Sequence, residues 1–130
     1  MSHFHCVVWI DHRNAHVIEF NADDSQTRIV HTKSSDERQH RKEGIVGSGK
    51  APVDTAYFHA VAEAMKDAGE ILIVGPSNAK LGLFKHLQAH DPAIAARVIS
   101  VETVDHPTDG ELVKYARHHF LVDDRMLSQS

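Results

Sequence analysis

The sequence is poor in cysteine and has no long apolar stretch. Cys6 is the only cysteine among the 130 residues, so a disulfide framework is excluded and a reducing, cytoplasmic location is expected. No apolar stretch approaches the roughly 20 residues that cross a bilayer, so we expect no membrane partner. The first residues lack a basic stretch followed by an apolar one, which argues against a signal peptide.

The chain also lacks a surplus of positive charge. It carries 14 Lys and Arg against 18 Asp and Glu, which is a net charge of −4 with a pI near 6.3. This balance excludes a protein that coats nucleic acid with its whole surface, but it leaves room for a local basic patch. With 42% hydrophobic and 25% charged residues, the composition is that of one soluble globular domain with a core of its own.

The segment from Ile71 to Val74 is the clearest strand in the sequence. It is wholly apolar and three of its four residues are β-branched, which is typical of a central strand buried on both faces. A Gly-Pro pair ends it, and Ser77 or Gly75 is expected to cap the next helix. In open α/β sheets ligands bind beyond the carboxyl ends of such strands, so this helix start is one place to expect a binding site.

Hydrophobic periodicity and turn residues place the other elements. Strands are predicted over residues 4–10, 15–20, 26–32 and 97–104, and helices over residues 53–68 and from 77 to about 90. Thr108 and Glu111 form a capping box that opens a last helix, and the polar tail from Asp123 is expected to fray. The order βββαβαβα predicts one α/β domain over residues 1–130. Its mixed five-stranded sheet, of strand order 3-2-1-4-5, is covered by helices in a ribonuclease H-like arrangement.

Residues 33–52 differ in composition from the rest of the chain. They include three glycines and one proline, and Ile45 and Val46 are their only large apolar residues. Residues 33–50 hold five Lys or Arg against three Asp or Glu, so this segment has a net charge of +2 in a chain of net charge −4. Such a segment buries little surface, so we predict a mobile loop. Long loops in compact domains are usually functional or disordered.

The same loop contains a sequence close to a phosphate-binding loop. Residues 44–50 fit the pattern G-x-x-x-x-G-K, which needs a strand before the loop and a helix that begins at the lysine. No buried strand is predicted before these residues, Ala51 stands where Ser or Thr would hold Mg²⁺, and Pro52 interrupts the helix start. We therefore interpret them as a flexible glycine-rich loop and not as a nucleotide site.

A candidate anion site lies at the helix start after the central strand. Ser77, Asn78 and Lys80 place free backbone N–H groups and a cation where the helix dipole favours an anion. The simpler interpretation is an ordinary helix cap with a lysine on the surface, and the pattern favours it.

The twelve histidines do not complete a metal-ligand set in the sequence. Three closely spaced pairs are His3 with His5, His12 with His16, and His118 with His119. Zinc sites use closely spaced ligands, usually with cysteine or carboxylate support and an ordered second shell, and the sequence does not complete such a set. We predict no native metal and no other cofactor, and expect only adventitious metal at the first pair.

The sequence lacks residues that two classes of enzyme require. A two-metal nuclease on a ribonuclease H-like fold needs three or four converging carboxylates. Asp11 stands at the end of the first strand where one would belong, but the central strand ends in Gly-Pro-Ser. A serine hydrolase would need the G-x-S-x-G turn, which is absent.

Three segments, residues 55–65, 71–80 and 97–103, together resemble one known pattern. They are similar to the middle domain of the archaeal and eukaryotic class-1 peptide release factors and of Pelota. They also resemble the small bacterial proteins related to that domain, which are known as translational machinery or host-attachment proteins. The G-P-x-x-x-K element at residues 75–80 is the most specific part. The resemblance covers most of the chain and implies a role in translation, with the ribosome or RNA as partner.

In the release factors the segment between the third strand and the first helix carries a Gly-Gly-Gln that enters the peptidyl-transferase centre. The corresponding residues 40–52 hold three glycines but no Gly-Gly-Gln, so peptidyl-tRNA hydrolysis is not expected. The resemblance then implies a non-catalytic module that touches RNA phosphates through a basic loop without reading bases. The residues expected to make these contacts are Arg38, His40, Arg41, Lys42, Gly47, Gly49 and Lys50. The alternatives are an anion-binding or enzymatic domain that uses Ser77–Lys80, and a protein–protein adaptor.

Overall fold

The computed structural model describes residues 5–21, 24–32 and 55–129, with side chains as far as Phe120. Five strands and four helices lie within these ranges. In chain order they are β1 (His5–Ile10), β2 (Asn14–Phe20), β3 (Ser25–His31), α1 (Thr55–Met65), β4 (Glu70–Gly75), α2 (Ala79–His90), α3 (Pro92–Ala95), β5 (Val98–Thr103) and α4 (Asp109–Gln129). The predicted order of the strands and long helices is confirmed. The short helix α3 was not predicted, and it forms because a proline is well suited to the first position of a helix.

The five strands form one mixed sheet in the order β3-β2-β1-β4-β5. β1 and β2 are antiparallel, as are β2 and β3, whereas β1 is parallel to β4 and β4 to β5. Val7 lies opposite Leu72, and Trp9 lies opposite Val74. The predicted mixed sheet, its strand order and the place of residues 71–74 beside β1 are therefore confirmed.

A hydrophobic core lies on each face of the sheet, because successive side chains of a strand point to opposite faces. One core is formed with α1 and α2, and the other with α4. Leu72 and Val74 are fully buried in the second core, as expected of a central strand flanked by helices. Cys6 is fully buried in the first core, and burial raises the pKa of its thiol far above the ordinary value. Cys6 is therefore an inert packing residue.

The predicted capping box at the start of α4 is confirmed. The Glu111 N–H donates to the Thr108 hydroxyl at 3.1 Å, and the Thr108 N–H donates to the Glu111 carboxylate at 2.8 Å. α4 then continues to Gln129, while the expected fraying from Asp123 stays a prediction. No glycine or proline interrupts residues 111–129, and the chain has no signal there that would end the helix. Within the described ranges no helix combines the length and the apolar character needed to cross a membrane.

The prediction for the cap of α2 is wrong. The N-cap is Asn78 and not Ser77 or Gly75, and the Asn78 side chain makes no capping hydrogen bond. Gly75 remains in β4, where its carbonyl accepts a hydrogen bond from the Val104 N–H at 3.1 Å. Because pairing with the β5 segment keeps Gly75 extended, residues 76–78 are needed to turn the chain into the helix.

Candidate functional site

The carboxyl ends of the parallel strands β1, β4 and β5 meet at one edge of the sheet, which we call the carboxyl edge. Trp9 lies opposite Val74, and Val74 lies opposite Glu102. Three connections start at this edge, which are the turn 11–14 after β1, the turn 76–78 after β4 and residues 104–108 after β5. Ligands of open α/β sheets bind at such an edge.

The turn 11–14 is held together by Asp11. The Asp11 carboxylate accepts hydrogen bonds from the N–H groups of Arg13 and Asn14, both at 2.8 Å. The Asp11 N–H in turn donates to the Asn14 carbonyl at 3.0 Å. A carboxylate bonded to two backbone N–H groups stabilises the turn, and this accounts for Asp11 without a catalytic role.

A described residue on each side of the predicted RNA-contacting loop is hydrogen-bonded to this turn. The Thr32 N–H, just before the loop, donates to the Arg13 carbonyl at 2.9 Å. The Tyr57 hydroxyl, just after it, donates to the Asp11 carbonyl at 3.0 Å. Residues on both sides of the loop are therefore bonded to the same turn at the carboxyl edge.

Residues 33–54 themselves lie outside the described residues, so the predicted mobility of residues 33–52 stays a prediction. The same holds for the seven predicted contact residues, which are Arg38, His40, Arg41, Lys42, Gly47, Gly49 and Lys50.

Lys80 is not the surface residue that the simpler interpretation of this helix start expected. It is buried, with 7% relative exposure, and its ammonium donates to the Ser77 carbonyl at 2.7 Å. The Ser77 hydroxyl accepts a hydrogen bond from the Ala79 N–H at 3.4 Å, and Asn78 is exposed. The structure thus brings Ser77, Asn78 and Lys80 together at the carboxyl edge. Their use as an anion site stays a prediction.

A group of rings at the carboxyl edge, on the α4 side of the sheet, was not predicted. The Trp9 indole N–H donates to the Asp105 carbonyl at 2.7 Å. The centroid of the Trp9 indole lies 5.6 Å from that of His16 and 5.2 Å from that of His106. His16 Nδ1 is hydrogen-bonded to the Asp109 carboxylate at 2.7 Å. These contacts join β1 and β2 to α4 across long sequence separations, and the pattern of the sequence contains no signal for them.

A second polar group links α4 to the edge strand β5. The Glu102 carboxylate accepts hydrogen bonds from the Tyr115 hydroxyl and, at 2.8 Å, from the Ser100 hydroxyl, and it lies 3.1 Å from His119 Nε2. The Tyr115 hydrogen bond lowers the pKa of Glu102, and the same bond raises the pKa of Tyr115 to about 12. Glu102 therefore stays ionised and Tyr115 stays protonated at neutral pH, which favours a structural role for this group.

An open cavity of about 430 Å³ lies beside residues 104–107 and the first turns of α4. Its lining includes the acidic residues Asp105 and Glu111 together with His106 and Tyr115. Two carboxylates and no Lys or Arg in the lining make this cavity a poor match for a phosphate group. This lining therefore gives no support for binding RNA phosphates at this cavity.

A further group of possible ligands was also missed, because its members are far apart in the sequence. His59, His86 and Asp91 each place a ligand atom within 4.8 Å of the others. None of the histidine pairs considered from spacing belongs to this group. The H-x-x-x-H spacing of His86 and His90 on one helix face is the one sequence signal that could have pointed to it.

The sequence matches no known protein-family model and no curated protein. Among solved structures, Archaeoglobus fulgidus Pelota aligns with 99% of this chain at a TM-score of 0.66 and 12% identity. The fold is Pelota-like.

Two other solved structures share this Pelota-like fold. S. cerevisiae Dom34 aligns with 95% of the chain at a TM-score of 0.56 and 12% identity. The archaeal translation termination factor aRF1 aligns with 81% at a TM-score of 0.53 and 10% identity. The predicted resemblance to Pelota and to a class-1 release factor is thus confirmed for the fold, while the likeness to small bacterial proteins stays a prediction. The chain spans 36% of the Pelota, 40% of the Dom34 and 31% of the aRF1 structure.

Proposed function

We propose that this chain is a translation-associated, non-catalytic module that contacts the ribosome or its RNA. The observation that carries this proposal is the Pelota-like fold over nearly the whole chain. Dom34 is a translation termination-like factor involved in RNA quality control pathways and interacting with Hbs1, and aRF1 is a translation termination factor. Because fold alone does not determine function, the contact surface has to be argued from the residues of this chain. The proposed role places the protein in the cytoplasm with the ribosomes.

The basic segment 33–50 is the proposed contact surface. Its net charge of +2 contrasts with the net charge of −4 of the chain. Thr32 and Tyr57 attach both of its flanks to the turn 11–14, where His12 and Arg13 are exposed. Basic side chains that neutralise phosphates bind RNA without reading its sequence, and such binding weakens as salt rises.

A non-catalytic role is supported by two features of the chain. Residues 33–54 contain no Gly-Gly-Gln. At the carboxyl edge, several polar side chains form hydrogen bonds within the fold. Asp11 bonds its own turn, Lys80 bonds Ser77, and His16 bonds Asp109.

The experiment is co-sedimentation with ribosomes in sucrose gradients at low and high salt. One variant changes the four basic residues of the segment to alanine, which are Arg38, Arg41, Lys42 and Lys50. A matched variant changes four exposed basic residues elsewhere, which are Arg28, Lys66, Lys85 and Lys114. Both variants lose the same charge. We expect the first to leave the ribosomal fractions at low salt and the second to remain there, while the wild-type protein leaves only at high salt.

Retention of the first variant in the ribosomal fractions would show that the segment is not the contact surface. Equal loss of both variants would mean that total charge, and not this segment, drives the association. The alternative site is tested by Lys80→Ala, which should leave co-sedimentation unchanged if the segment makes the contact. Loss of association with Lys80→Ala alone would move the site to Ser77–Lys80.

A further inference from the structure

An open cavity of about 490 Å³ lies where the first turns of α1 meet the end of α2. Its lining consists of Thr55, Ala56, His59, His86, His90 and Asp91. Three of these side chains are histidines and one is a carboxylate, all of them groups that bind transition metals. None of the seven residues proposed to contact RNA is among these lining residues, so a metal site here does not rest on the proposed function.

Three ligand atoms already converge in this cavity. One ring nitrogen each of His59 and His86 and one carboxylate oxygen of Asp91 lie within 4.8 Å of one another. Around a tetrahedral zinc ion with bonds of about 2.0–2.2 Å, ligand atoms are roughly 3.3–3.6 Å apart. Because no pair of these atoms is more than 4.8 Å apart, at most a small closing movement would bring them to this spacing. His59 is exposed, so it can change rotamer without disturbing the core.

The imidazole of His86 is an independent indication of a ligand. His86 has only 8% relative exposure, and its Nε2 has no hydrogen-bond partner among the residues that the structure describes. A buried polar atom without a partner costs about 1–3 kcal/mol, so such atoms are rare in folded proteins. Coordination of an ion by this imidazole would provide that partner.

The backbone of Asp91 is fixed while its carboxylate is not used for capping. The Asp91 N–H donates to the Leu87 carbonyl at 2.8 Å, and its carbonyl accepts from the Ile94 N–H at 2.9 Å and the Ala95 N–H at 3.1 Å. Asp91 is the N-cap of α3, a position where aspartate normally accepts a backbone hydrogen bond through its side chain. Here the side chain makes no capping hydrogen bond, and it lines the cavity instead.

The His86 ring is held in place by its neighbours. Its centroid lies 5.8 Å from the Phe58 ring of α1 and 4.6 Å from the His90 ring one helical turn further on. Burial lowers the pKa of His86, and the charge of His90 lowers it further.

We propose that His59, His86 and Asp91 bind a divalent transition metal, with zinc as the best match to two imidazoles and a carboxylate. The ligands come from α1, α2 and the α2–α3 junction, so a bound ion would link α1 to the end of α2. A site with its ligands from separate packed elements stabilises the folded state, because the unfolded chain does not hold these groups together.

Zinc titration of the full chain, without a histidine affinity tag, tests this site. The site variants are His59→Gln and Asp91→Asn. The matched controls are His118→Gln and Asp67→Asn, which change an exposed histidine and an exposed aspartate elsewhere. We expect each site variant to lower zinc affinity by about tenfold or more, whereas the controls keep the wild-type affinity. Zinc should also raise the melting temperature of the wild-type chain and the controls, but not of the site variants.

Both site residues can be changed without affecting the core, because His59 is exposed and Asp91 makes no capping bond through its side chain. Circular dichroism of the zinc-free variants checks that they are folded. The site is refuted if the wild-type chain binds no zinc, or if the site variants bind it as tightly as the wild type. Equal loss in the control variants would show diffuse binding over exposed histidines, and would also overturn the proposal.

Discussion

At Gly75, strands β1 and β4 approach each other so closely that no side chain fits between them. A Cβ atom added there would lie 2.2 Å from the carbonyl oxygen of Ile10. This oxygen belongs to the backbone of a central strand, so it cannot move aside as a flexible side chain can. Gly75 is therefore required by strand packing, and not by a helix cap as the sequence suggested.

Replacing Gly75 with alanine should destabilise the protein by about 1–3 kcal/mol or more, because the strands must move apart. The matched control is Gly110→Ala in the first turn of α4, where the added Cβ would meet only the Thr108 hydroxyl at 3.9 Å. Alanine is favoured over glycine in a helix by roughly 0.5–1 kcal/mol, so the control should be neutral or stabilising. Urea unfolding measures both free energies. Equal stability of Gly75→Ala and the wild type would show that the strand spacing is not rigid.

Lys80 is buried although its position in the sequence predicts an exposed side chain. A lysine in the first turn of an exposed helix is normally solvated, yet Lys80 is buried. Its aliphatic stem can pack along apolar surface while its ammonium bonds the Ser77 carbonyl. This bond uses one of the three ammonium donors, and it holds the turn between β4 and α2.

At the scale of elements, Arg97 joins two helix ends to the start of β5. Its Nη1 atom donates to the carbonyls of Lys66, at 2.9 Å, and Ala68, at 2.6 Å, beyond the end of α1. Its Nε donates to the Ala93 carbonyl in α3 at 3.1 Å. Arginine satisfies the carbonyls that a helix leaves unpaired at its end, and its planar group reaches several of them at once.

Replacing Arg97 with methionine should lower the free energy of unfolding by about 1.5–3 kcal/mol, since it removes hydrogen bonds from a charged donor but keeps the length of the side chain. Arg97→Lys should recover only part of this loss, because an ammonium cannot reach the three carbonyls together. Lys114→Met on the exposed face of α4 is the control and should change stability by less than about 0.5 kcal/mol. Urea unfolding of the three variants gives these differences. If Arg97→Met changed the free energy of unfolding as little as this control, Arg97 would not stabilise the helix ends.

At the scale of the whole molecule, the proposed contact segment is connected to a fold that has cores of its own. The two cores consist of residues from the five strands and the helices α1 to α4. The flanks of the segment are held by the bonds of Thr32 and Tyr57 to the turn 11–14. We therefore expect recognition and stability to be separable in this chain.

Deletion of residues 39–49, bridged by a short Gly/Ser linker, should change the free energy of unfolding by less than about 1 kcal/mol, since loop length affects closure entropy only weakly. The same deletion should abolish co-sedimentation with ribosomes. Thermal unfolding and sucrose gradients measure the two effects on one preparation. If cooperative unfolding disappears with the segment, the segment is structural, and if association persists, the contact lies elsewhere.

The fold could be predicted from the sequence because many of the signals that specify it are local. Three β-branched residues among Ile71–Val74 predict a buried strand, and the spacing of Thr108 and Glu111 predicts the start of α4. Each of these patterns acts through neighbours within four positions, so it can be recognised without knowing the rest of the chain. The strand order was inferred from the succession of elements, and the structure has the same order.

The contacts between distant polar groups could not be predicted from the sequence, because they depend on how the helices pack. The convergence of His59 with His86 and Asp91 depends on how α1 packs on the end of α2. The bond between His16 and Asp109 depends on the position of α4 over the sheet. Such contacts join residues that are distant in the chain, and the distances are set by helix packing and by the twist of the sheet. Hydrophobic periodicity shows that a helix packs against a sheet, but it does not give the side-chain positions that bring these polar groups together.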